Sequence, residues 1–461
     1  MSTSRSANTK NAAGNNRSKF TAGGVGQAIV VCGLPRARPL RRHVTTLPLQ
    51  ASLILLIAGS LRSQPLRLDD LESMALAGHP SIAQAAAGIR SAAGRALQAG
   101  LYPNPVIGAN GDEIATGPII RGGELGGFFE QRIVTGGKLR LSRLAAGREK
   151  TLAEEAAAAE RHRVLNAVRT LYYQALGDER RLKVREDLAK LAERSAAIAR
   201  ELANIGRADK PDVLAAEIEA HRMELSLAQA RHSRERTWRL LSTAVGNPAL
   251  EPQPLAGDLE ELPALNLEEA LAGIFRESPE LRAAGADVER ADLMVKRAEV
   301  EKIPDLMVRG GVRYNRELLE QSAQGGLRPV GREGFFDIGV RIPLFDRNQG
   351  AAASARADAE RARLEVQRTK LSLRSRLAAA YKEYQDSMAM IETYRGRMIP
   401  KAREAHEMLM KNFQLMAAPY PEVLTAQRSL FQLQDDYIGA LAGAWRAAVE
   451  IQGLLLTPAM R

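Results

Sequence analysis

Two carboxylates stand in matching places in this chain. Asp212 follows Pro211 and precedes Val213-Leu214, and Glu422 follows Pro421 and precedes Val423-Leu424. An acid just past a proline at the start of a helical run falls in the first turn, where it favours the helix dipole and can cap it. The other groups able to do chemistry are scattered. Six histidines are present: His43, His79, His162, His221, His232 and His406. His221 and His232 share a helical face but would lie about 16 Å apart along the axis, too far to hold one ion. They read as polar members of a helix seam. Met388, Met390, Met408 and Met410 could offer soft ligands, but methionine also fills gaps between helices, and that reading is adopted. The sole cysteine is Cys32. No Walker loop, nucleophile elbow, His-Glu-x-x-His pair or dinucleotide fingerprint occurs. The expectation is a protein that is not an enzyme, with no cofactor and no metal site of its own.

The match between the two carboxylates extends along the chain. Leu66-Arg67-Leu68-Asp69-Asp70-Leu71, followed by His79-Pro80-Ser81-Ile82, returns as Leu265-Asn266-Leu267-Glu268-Glu269-Ala270 and Ser278-Pro279-Glu280-Leu281. Tyr172 matches Tyr381, and Trp238 with Gly246 matches Trp445 with Gly453. A period of about 200 residues is far too long for a solenoid unit and reads as a tandem duplication. Five segments follow: a leader over 1–64, a first repeat over 65–250, a linker over 251–264, a second repeat over 265–456 and a tail over 457–461.

Each repeat has the same order. A helical stretch of about 35 residues leads to a short Pro/Gly-rich region with β character, then to a very long helix, a Pro-rich break and a second long helix. Lys138 to Asn204 contains no proline and predicts a rod roughly 100 Å long at about 1.5 Å per residue. Leu188, Leu191, Ser195, Ile198, Leu202 and Ile205 alternate spacings of three and four, as a coiled-coil seam requires. Leu214, Ile218, His221, Leu225, Ala228 and His232 predict the facing seam on the returning helix. The turn of this hairpin falls at Gly206 to Pro211, and that of its twin near Met416 to Pro421.

Four β segments are expected: Pro103 to Gly111, Gly127 to Thr135, Ile303 to Tyr314 and Phe335 to Leu344. Val308, Val312 and Tyr314 alternate with Arg309, Gly311 and Arg313, and Phe336, Ile338, Val340 and Ile342 alternate with Asp337, Gly339 and Arg341. Outward apolar and inward polar residues suit a barrel with a wet lumen, although a soluble sheet would give the same signal. The polar links Asp112 to Gly126 and Asn315 to Gly334 read as surface loops. Four strands cannot close a barrel and open edges are not tolerated in lipid, so membrane strands here would need several chains.

These residues resemble a family. From about Leu66 to Leu456 the chain resembles the outer-membrane factors of the TolC family, in particular the CzcC-like branch of heavy-metal efflux. The resemblance rests on Gln131-Arg132-Ile133-Val134-Thr135-Gly136-Gly137-Lys138, on Ile342-Pro343-Leu344-Phe345-Asp346-Arg347-Asn348-Gln349-Gly350, and on the stretch from Pro421 to Leu430. It implies an α+β membrane protein that assembles as a homotrimer. Each chain would give four transmembrane strands to a twelve-stranded barrel, with Val308, Val312, Val340 and Ile342 facing lipid. Long antiparallel coiled-coil helices would continue it as a periplasmic tunnel. It implies an outer-membrane exit duct of a tripartite efflux system, joined to a periplasmic membrane-fusion adaptor and an inner-membrane pump of the RND type driven by protons. The substrate would be heavy-metal cations. A duct for drugs or other organic solutes, and a non-conducting envelope-spanning scaffold, stay open as alternatives. Asp212 and Glu422 would line the periplasmic aperture, and Gly206, Arg207, Met416 and Ala417 would form the adaptor-contact turns. The second repeat departs from the pattern at Leu415-Met416-Ala417-Ala418-Pro419, where the glycine seen as Gly206 is missing. A second acid expected three residues after Glu422 is Thr425.

Composition agrees. The chain is 45% hydrophobic yet has no apolar run of about 18 residues that would form a transmembrane helix, and a β-barrel protein needs none. Of a formal net charge of +11, nine units belong to Lys and Arg within 1–64, which holds no acid, leaving +2 for the rest. The basic balance is therefore a property of the leader, and no nucleic-acid partner is expected. Arg41-Arg42, the apolar stretch from Leu47 to Ala58 and Ala58-Gly59-Ser60 have the order of a secretory signal, with cleavage between about Ala58 and Gln64. The mature protein is expected to carry no cysteine, no disulfide and no lipid anchor.

Overall fold

The computed structural model describes residues 65–113, 123–320 and 325–456; the expected leader with Cys32, the expected tail and most of the expected loop from Asp112 to Gly126 lie outside them. Among the described residues nine helices and four strands follow one another in two rounds. The first round is α1 (Leu68–Gly78), α2 (Pro80–Ala99), β1 (Val106–Asp112), β2 (Glu124–Ile133), α3 (Lys138–Asn204) and α4 (Lys210–Ala244). The second is α5 (Leu267–Glu277), α6 (Pro279–Glu299), β3 (Leu306–Glu320), β4 (Leu327–Val340), α7 (Gln349–Thr393), α8 (Ile399–Gln414) and α9 (Tyr420–Gln452). The leading helical stretch is split in each repeat at the same dipeptide step. Pro80 and Pro279 open α2 and α6, because proline is favoured in a first turn and excluded from a helix interior.

Helix α3 runs 67 residues without interruption, as its sequence predicts. Its counterpart does not. Between α7 and α8 lies a π-helical segment, Tyr394–Met398. Tyr381 to Met416 is one residue longer than Tyr172 to Gly206, and a π bulge absorbs a single inserted residue without breaking the rod.

The four strands form one antiparallel sheet in the order β1-β2-β3-β4. Leu306 pairs with both Ile133 and Val340, Val308 with Gln131 and Ile338, and Val312 with Gly127 and Gly334. Residues directly opposite share a face. One face therefore collects Ile107, Leu125, Phe129, Ile133, Val308, Val312, Phe336, Ile338 and Val340, and all but Val308 are exposed large hydrophobics. The other face is polar. Glu124 accepts a hydrogen bond from Asn315 at 2.9 Å and pairs with Arg313, which also reaches Glu333 at 3.1 Å. The Arg309 guanidinium lies 4.3 Å above the Phe128 ring and 5.7 Å from that of Phe335.

The strands differ from the expected limits. Hydrogen bonding carries β3 on to Glu320 and starts β4 at Leu327, through a bulge between Asn315 and Leu318, so much of the expected loop from Asn315 to Gly334 is strand. Likewise β2 begins at Glu124. Polar residues end no strand while their backbones stay paired; they sit on the polar face. At the other end β4 stops at Val340, so Ile342 lies beyond the sheet and Val340 is its last residue.

The two repeats are tied where the sheet meets the helices. Asp305 accepts hydrogen bonds from Lys138 Nζ at 2.8 Å, from Arg132 and from the Thr135 backbone N–H at 3.1 Å. The Lys138 side chain is fully buried. Burial by itself would raise the Asp305 carboxyl pKa, but the bonds from Lys138, Arg132 and Thr135 outweigh it and hold it down to about 2.

Two cores lie along the helices. One joins Leu71, Val168, Tyr172, Trp238, Leu241, Leu441 and Trp445; the other joins Ile274, Leu373, Leu377, Tyr384 and Ile451. Helix α9 enters both. The segment 251–264 is more than a tether, since Leu255 and Leu259 are buried in the first core. Its carbonyl groups and those flanking it accept bonds from Trp238 Nε1 at Leu250, Tyr172 Oη at Ala256, Trp445 Nε1 at Leu259 and Tyr384 Oη at Pro263. Three aromatic landmarks of the duplication, Tyr172, Trp238 and Trp445, thus hold a strap around the bundle together with Tyr384.

The seam expected on α4 is turned outward. Leu214, Ile218, His221, Leu225 and His232 are exposed, while Ala216, Glu219, Met223 and Ala230 are buried. Helix α3 presents the small side chains Ala192, Ala196 and Ala199, which pack with Ala216 and Met223 of α4 and with Phe413, Val423 and Phe431 of the second hairpin. On α3 the expected seam holds at Leu188 and Ser195, is half-buried at Leu191, Ile198 and Leu202, and ends at exposed Ile205.

Two outcomes test this arrangement. Val312→Arg, near the middle of the apolar face, should cost about 2–4 kcal/mol, whereas Val340→Arg at its rim should cost about 0–1 kcal/mol; reversible unfolding in detergent or lipid reads both. Asp305→Asn should cost about 2–3 kcal/mol at neutral pH, from a depression of the carboxyl pKa at about 1.4 kcal/mol per unit. Because the folded pKa is depressed, that contribution is present above the ordinary carboxylate value and fades as pH falls from about 4 towards 2. The difference between wild type and Asp305→Asn should shrink over that window.

Candidate functional site

The hairpin tips bring the two repeats together at one end of the bundle. Helix α3 ends through Gly206, which takes φ +72°. The N–H of Gly206 donates to Ala203 O at 3.0 Å and that of Arg207 to Leu202 O at 2.7 Å, which caps the last carbonyls of the helix. The second hairpin builds the same turn without glycine. Met416 takes φ +59°, its N–H donates to Phe413 O at 3.0 Å, and that of Ala417 donates to Asn412 O at 2.7 Å. A left-handed methionine carries a steric cost that a glycine does not.

Each returning helix starts with proline and acid in its first turn, Pro211-Asp212 in α4 and Pro421-Glu422 in α9. No side-chain capping hydrogen bond forms at either N-cap, Asp209 or Pro419, so both acids serve the helix dipole without acting as caps. A cleft between the turns is lined by Gly206, Arg207, Asp209, Asp212, Met416 and Ala417, among others. Five of the six expected tip residues, Gly206, Arg207, Asp212, Met416 and Ala417, therefore gather there. Glu422 stands exposed on the next turn and does not line the cleft.

Below the tips lies a buried polar group that sequence reading missed. Glu219 on α4 is 1% exposed and accepts a bond from Arg428 on α9 at 2.6 Å, which crosses from one hairpin to the other. Arg222 approaches the same oxygen at 3.4 Å. Tyr420 and Gln427 of α9 are also fully buried, and the Tyr420 hydroxyl pKa is pushed up to about 12 by burial and by the Glu219 charge. Glu219 falls between the apolar positions of the assumed seam, and the twin position in the second repeat is Ser429, so neither periodicity nor repetition flagged it.

Metal ligation has little to work with. His221 and His232 are exposed on α4, and His406 is buried in α8 with its Nε2 atom unpartnered among the described residues. Among the described residues no group of three or more His, Cys, Asp or Glu side chains could hold a metal ion, and no helix is long and apolar enough to cross a membrane.

Comparison with known proteins agrees with this architecture. The family model described as outer membrane efflux protein matches residues 71–247 and 271–455, one stretch in each repeat. The chain is 27% identical over 391 residues to the cobalt-zinc-cadmium resistance protein CzcC of Cupriavidus metallidurans, covering 85% of this chain and 90% of that one. Among solved structures, the outer-membrane channel OprN superposes with a TM-score of 0.71 at 19% identity, over 84% of this chain and 89% of its own. The outer membrane protein VceC of Vibrio cholerae superposes with a TM-score of 0.69 at 21% identity, over 84% of this chain and 95% of its own. These two likenesses establish the fold: long helices continuing a small antiparallel sheet.

The unequal turns predict unequal responses. Gly206→Ala should destabilise by about 1–2 kcal/mol, the cost of a side chain in the left-handed region, while Met416→Gly should be neutral or stabilising. Thermal denaturation of the two variants beside wild type measures the contrast.

Proposed function

Given that this chain belongs to the outer membrane efflux protein family, we propose that it forms a homotrimeric exit duct working in series with a periplasmic membrane-fusion adaptor and an inner-membrane pump of the RND type. Membership makes it an outer-membrane transport channel and not an enzyme. The observation that carries the trimer is the sheet. Among the described residues it has one apolar face, one polar face and two free edges, β1 and β4. Free edges are untenable in hydrocarbon, and further copies pairing edge to edge would close a barrel with the Arg309 and Arg313 face inward. The helices leaving the sheet then continue the duct for roughly 100 Å, at about 1.5 Å per residue along α3. Their tips, remote from the sheet, form the periplasmic aperture and the adaptor-contact surface at Gly206, Arg207, Met416 and Ala417.

Heavy-metal cations are the substrate class in this reading. Support comes from the relative named for cobalt, zinc and cadmium resistance and from acids in both returning helices. Three copies would set Asp212 and Glu422 around the mouth, where a ring of carboxylates attracts cations and repels anions. Metal selection is left to the pump and adaptor.

Planar-bilayer recording tests the aperture. Glu422→Gln should weaken block of the single-channel current by trivalent cations and lower cation preference while leaving the trimer intact. Asp212→Asn should act in the same direction but less, since Asp212 is half-buried against the second turn. Unchanged block and selectivity in the double variant would remove both residues from the mouth.

A further inference from the structure

We propose that Arg332 and Arg328 of β4 bind the phosphates of a phosphorylated glycolipid in the outer leaflet of the membrane. The proposal rests on the reading in which the apolar face of the sheet meets lipid.

Backbone pairing places Arg332 on that face. It pairs with Tyr314, which pairs in turn with Leu125. Stepping along β4 two residues at a time from Arg332 leads to Gly334, Phe336, Ile338 and Val340, the apolar side of the strand. Tyr314 and Leu125 are exposed, and so is Arg332 beside them. The arginines of the opposite face are occupied. Arg313 pairs with Glu124 and Glu333, and Arg309 lies over the Phe128 ring. Among the described residues neither Arg332 nor Arg328 has a carboxylate within ion-pair distance, although Glu333 adjoins Arg332 in sequence, because Glu333 belongs to the polar face.

An arginine that faces hydrocarbon is costly at the bilayer midplane and nearly free of cost at the interface. The length of the strand puts Arg332 at the interface. Ile342, also exposed, continues the apolar alternation past Val340. Ten residues separate Ile342 from Arg332. They span roughly 33 Å of strand, or about 25 Å of height at a tilt of about 40°, which is the height of an outer-membrane apolar band. The helices leave the sheet at the Ile342 end, on the periplasmic side, so Arg332 stands at the outer boundary. Tyr314 beside it has the ring and hydroxyl of an interfacial girdle residue. Arg328, exposed and four residues further along, lies about 10 Å farther out on the same slope.

Two cations at two depths select the ligand. A glycerophospholipid holds its phosphate in a single layer at the boundary. A phosphorylated saccharide head group carries anionic groups at the boundary and beyond it, and a guanidinium fork takes phosphate oxygens two at a time. Glycolipid of the outer leaflet, the leaflet at this end of the strand, is therefore the occupant.

The test titrates the purified channel in detergent with three lipids and counts bound molecules by native mass spectrometry. The lipids are a phosphorylated lipopolysaccharide, the same lipopolysaccharide stripped of phosphate, and phosphatidylglycerol. Wild type should prefer the first over either of the others by about tenfold or more, the worth of one hydrogen bond between charged groups. Arg332→Gln should lose most of that preference and Arg328→Gln part of it, while Arg332→Lys should keep more than Arg332→Gln. Arg239→Gln, an exposed change on α4, should leave it as it is. Equal affinity of wild type for the phosphorylated and stripped glycolipids would overturn the proposal without recourse to any variant. Equal affinity for phosphatidylglycerol would overturn the choice of glycolipid, and an undiminished preference in the double variant would overturn the assignment to these two arginines. A wild-type protein that retains no lipid of any kind would remove the outward apolar face and this site together.

Discussion

A backbone in hydrocarbon must satisfy its own hydrogen bonds, and this chain cannot do so alone. Among the described residues its four strands bond to one another through β2 and β3 but leave β1 and β4 with open edges beside a broad apolar face. Completion by further copies follows from that deficit, and much else follows from completion. A sheet that curls into a barrel needs its helices to leave on one side, at a fixed spacing, and continue as a cylinder. The junction at Asp305 meets this need. A second-repeat carboxylate binds Lys138, Arg132 and Thr135 of the first repeat, so the strand-to-helix turn of one repeat is held by the strand entering the other.

Duplication supplies the pieces, and the structure uses the copies unequally. Trp238 and Trp445 both donate to carbonyls at or beside the strap between repeats, yet they grip different points, Leu250 and Leu259. Gly246 and Gly453 also match in sequence but not in conformation: Gly246 takes φ +79°, whereas Gly453 lies so close to the Asn166 side chain that a Cβ could not be fitted. The Asn166 amide donates to the carbonyls of Gly453 and Leu456, closing the end of α9. The same inequality governs the tips, where glycine makes one turn and a left-handed methionine the other, and the π segment, where one helix carries an extra residue that its twin lacks. Each repeat faces its own partner and is shaped by it.

Several features were legible because they are local or periodic. The uninterrupted run from Lys138 to Asn204 needs only the absence of proline and a steady supply of helix formers, and its limits agree with the structure. The alternation through Val308, Val312, Phe336, Ile338 and Val340 identifies an apolar face whatever the strands pair with. Strand ends were less legible, because backbone pairing sets them: Glu320 and Leu327 are strand residues by virtue of each other, and Ile342 is not because nothing among the described residues pairs with it. On α4 two heptad phases were present, and the larger side chains suggested the wrong one. What faces the alanines of α3 decided the matter: Ala216 and Met223 pack there, and Leu214 and Leu225 do not. Glu219, Gln427 and Tyr420 were invisible for a related reason, since a buried polar residue has no pattern of its own and owes its place to what lies opposite.

The sequence by itself determined that the chain is a tandem duplication of rods and short amphipathic strands, with proline-acid turns repeated at Asp212 and Glu422 and no catalytic motif. Those properties depend on residue order within a few turns of helix or a few residues of strand. Tertiary structure alone decided which face of α4 is buried, that Asp305 joins the repeats, that Asp212 turns into the cleft between hairpins while Glu422 remains exposed, and that Glu219 meets Arg428. Each of these is a contact between segments far apart in the chain, and its energy depends on the shape and charge of the opposing surface. Periodicity along one helix carries no information about that surface.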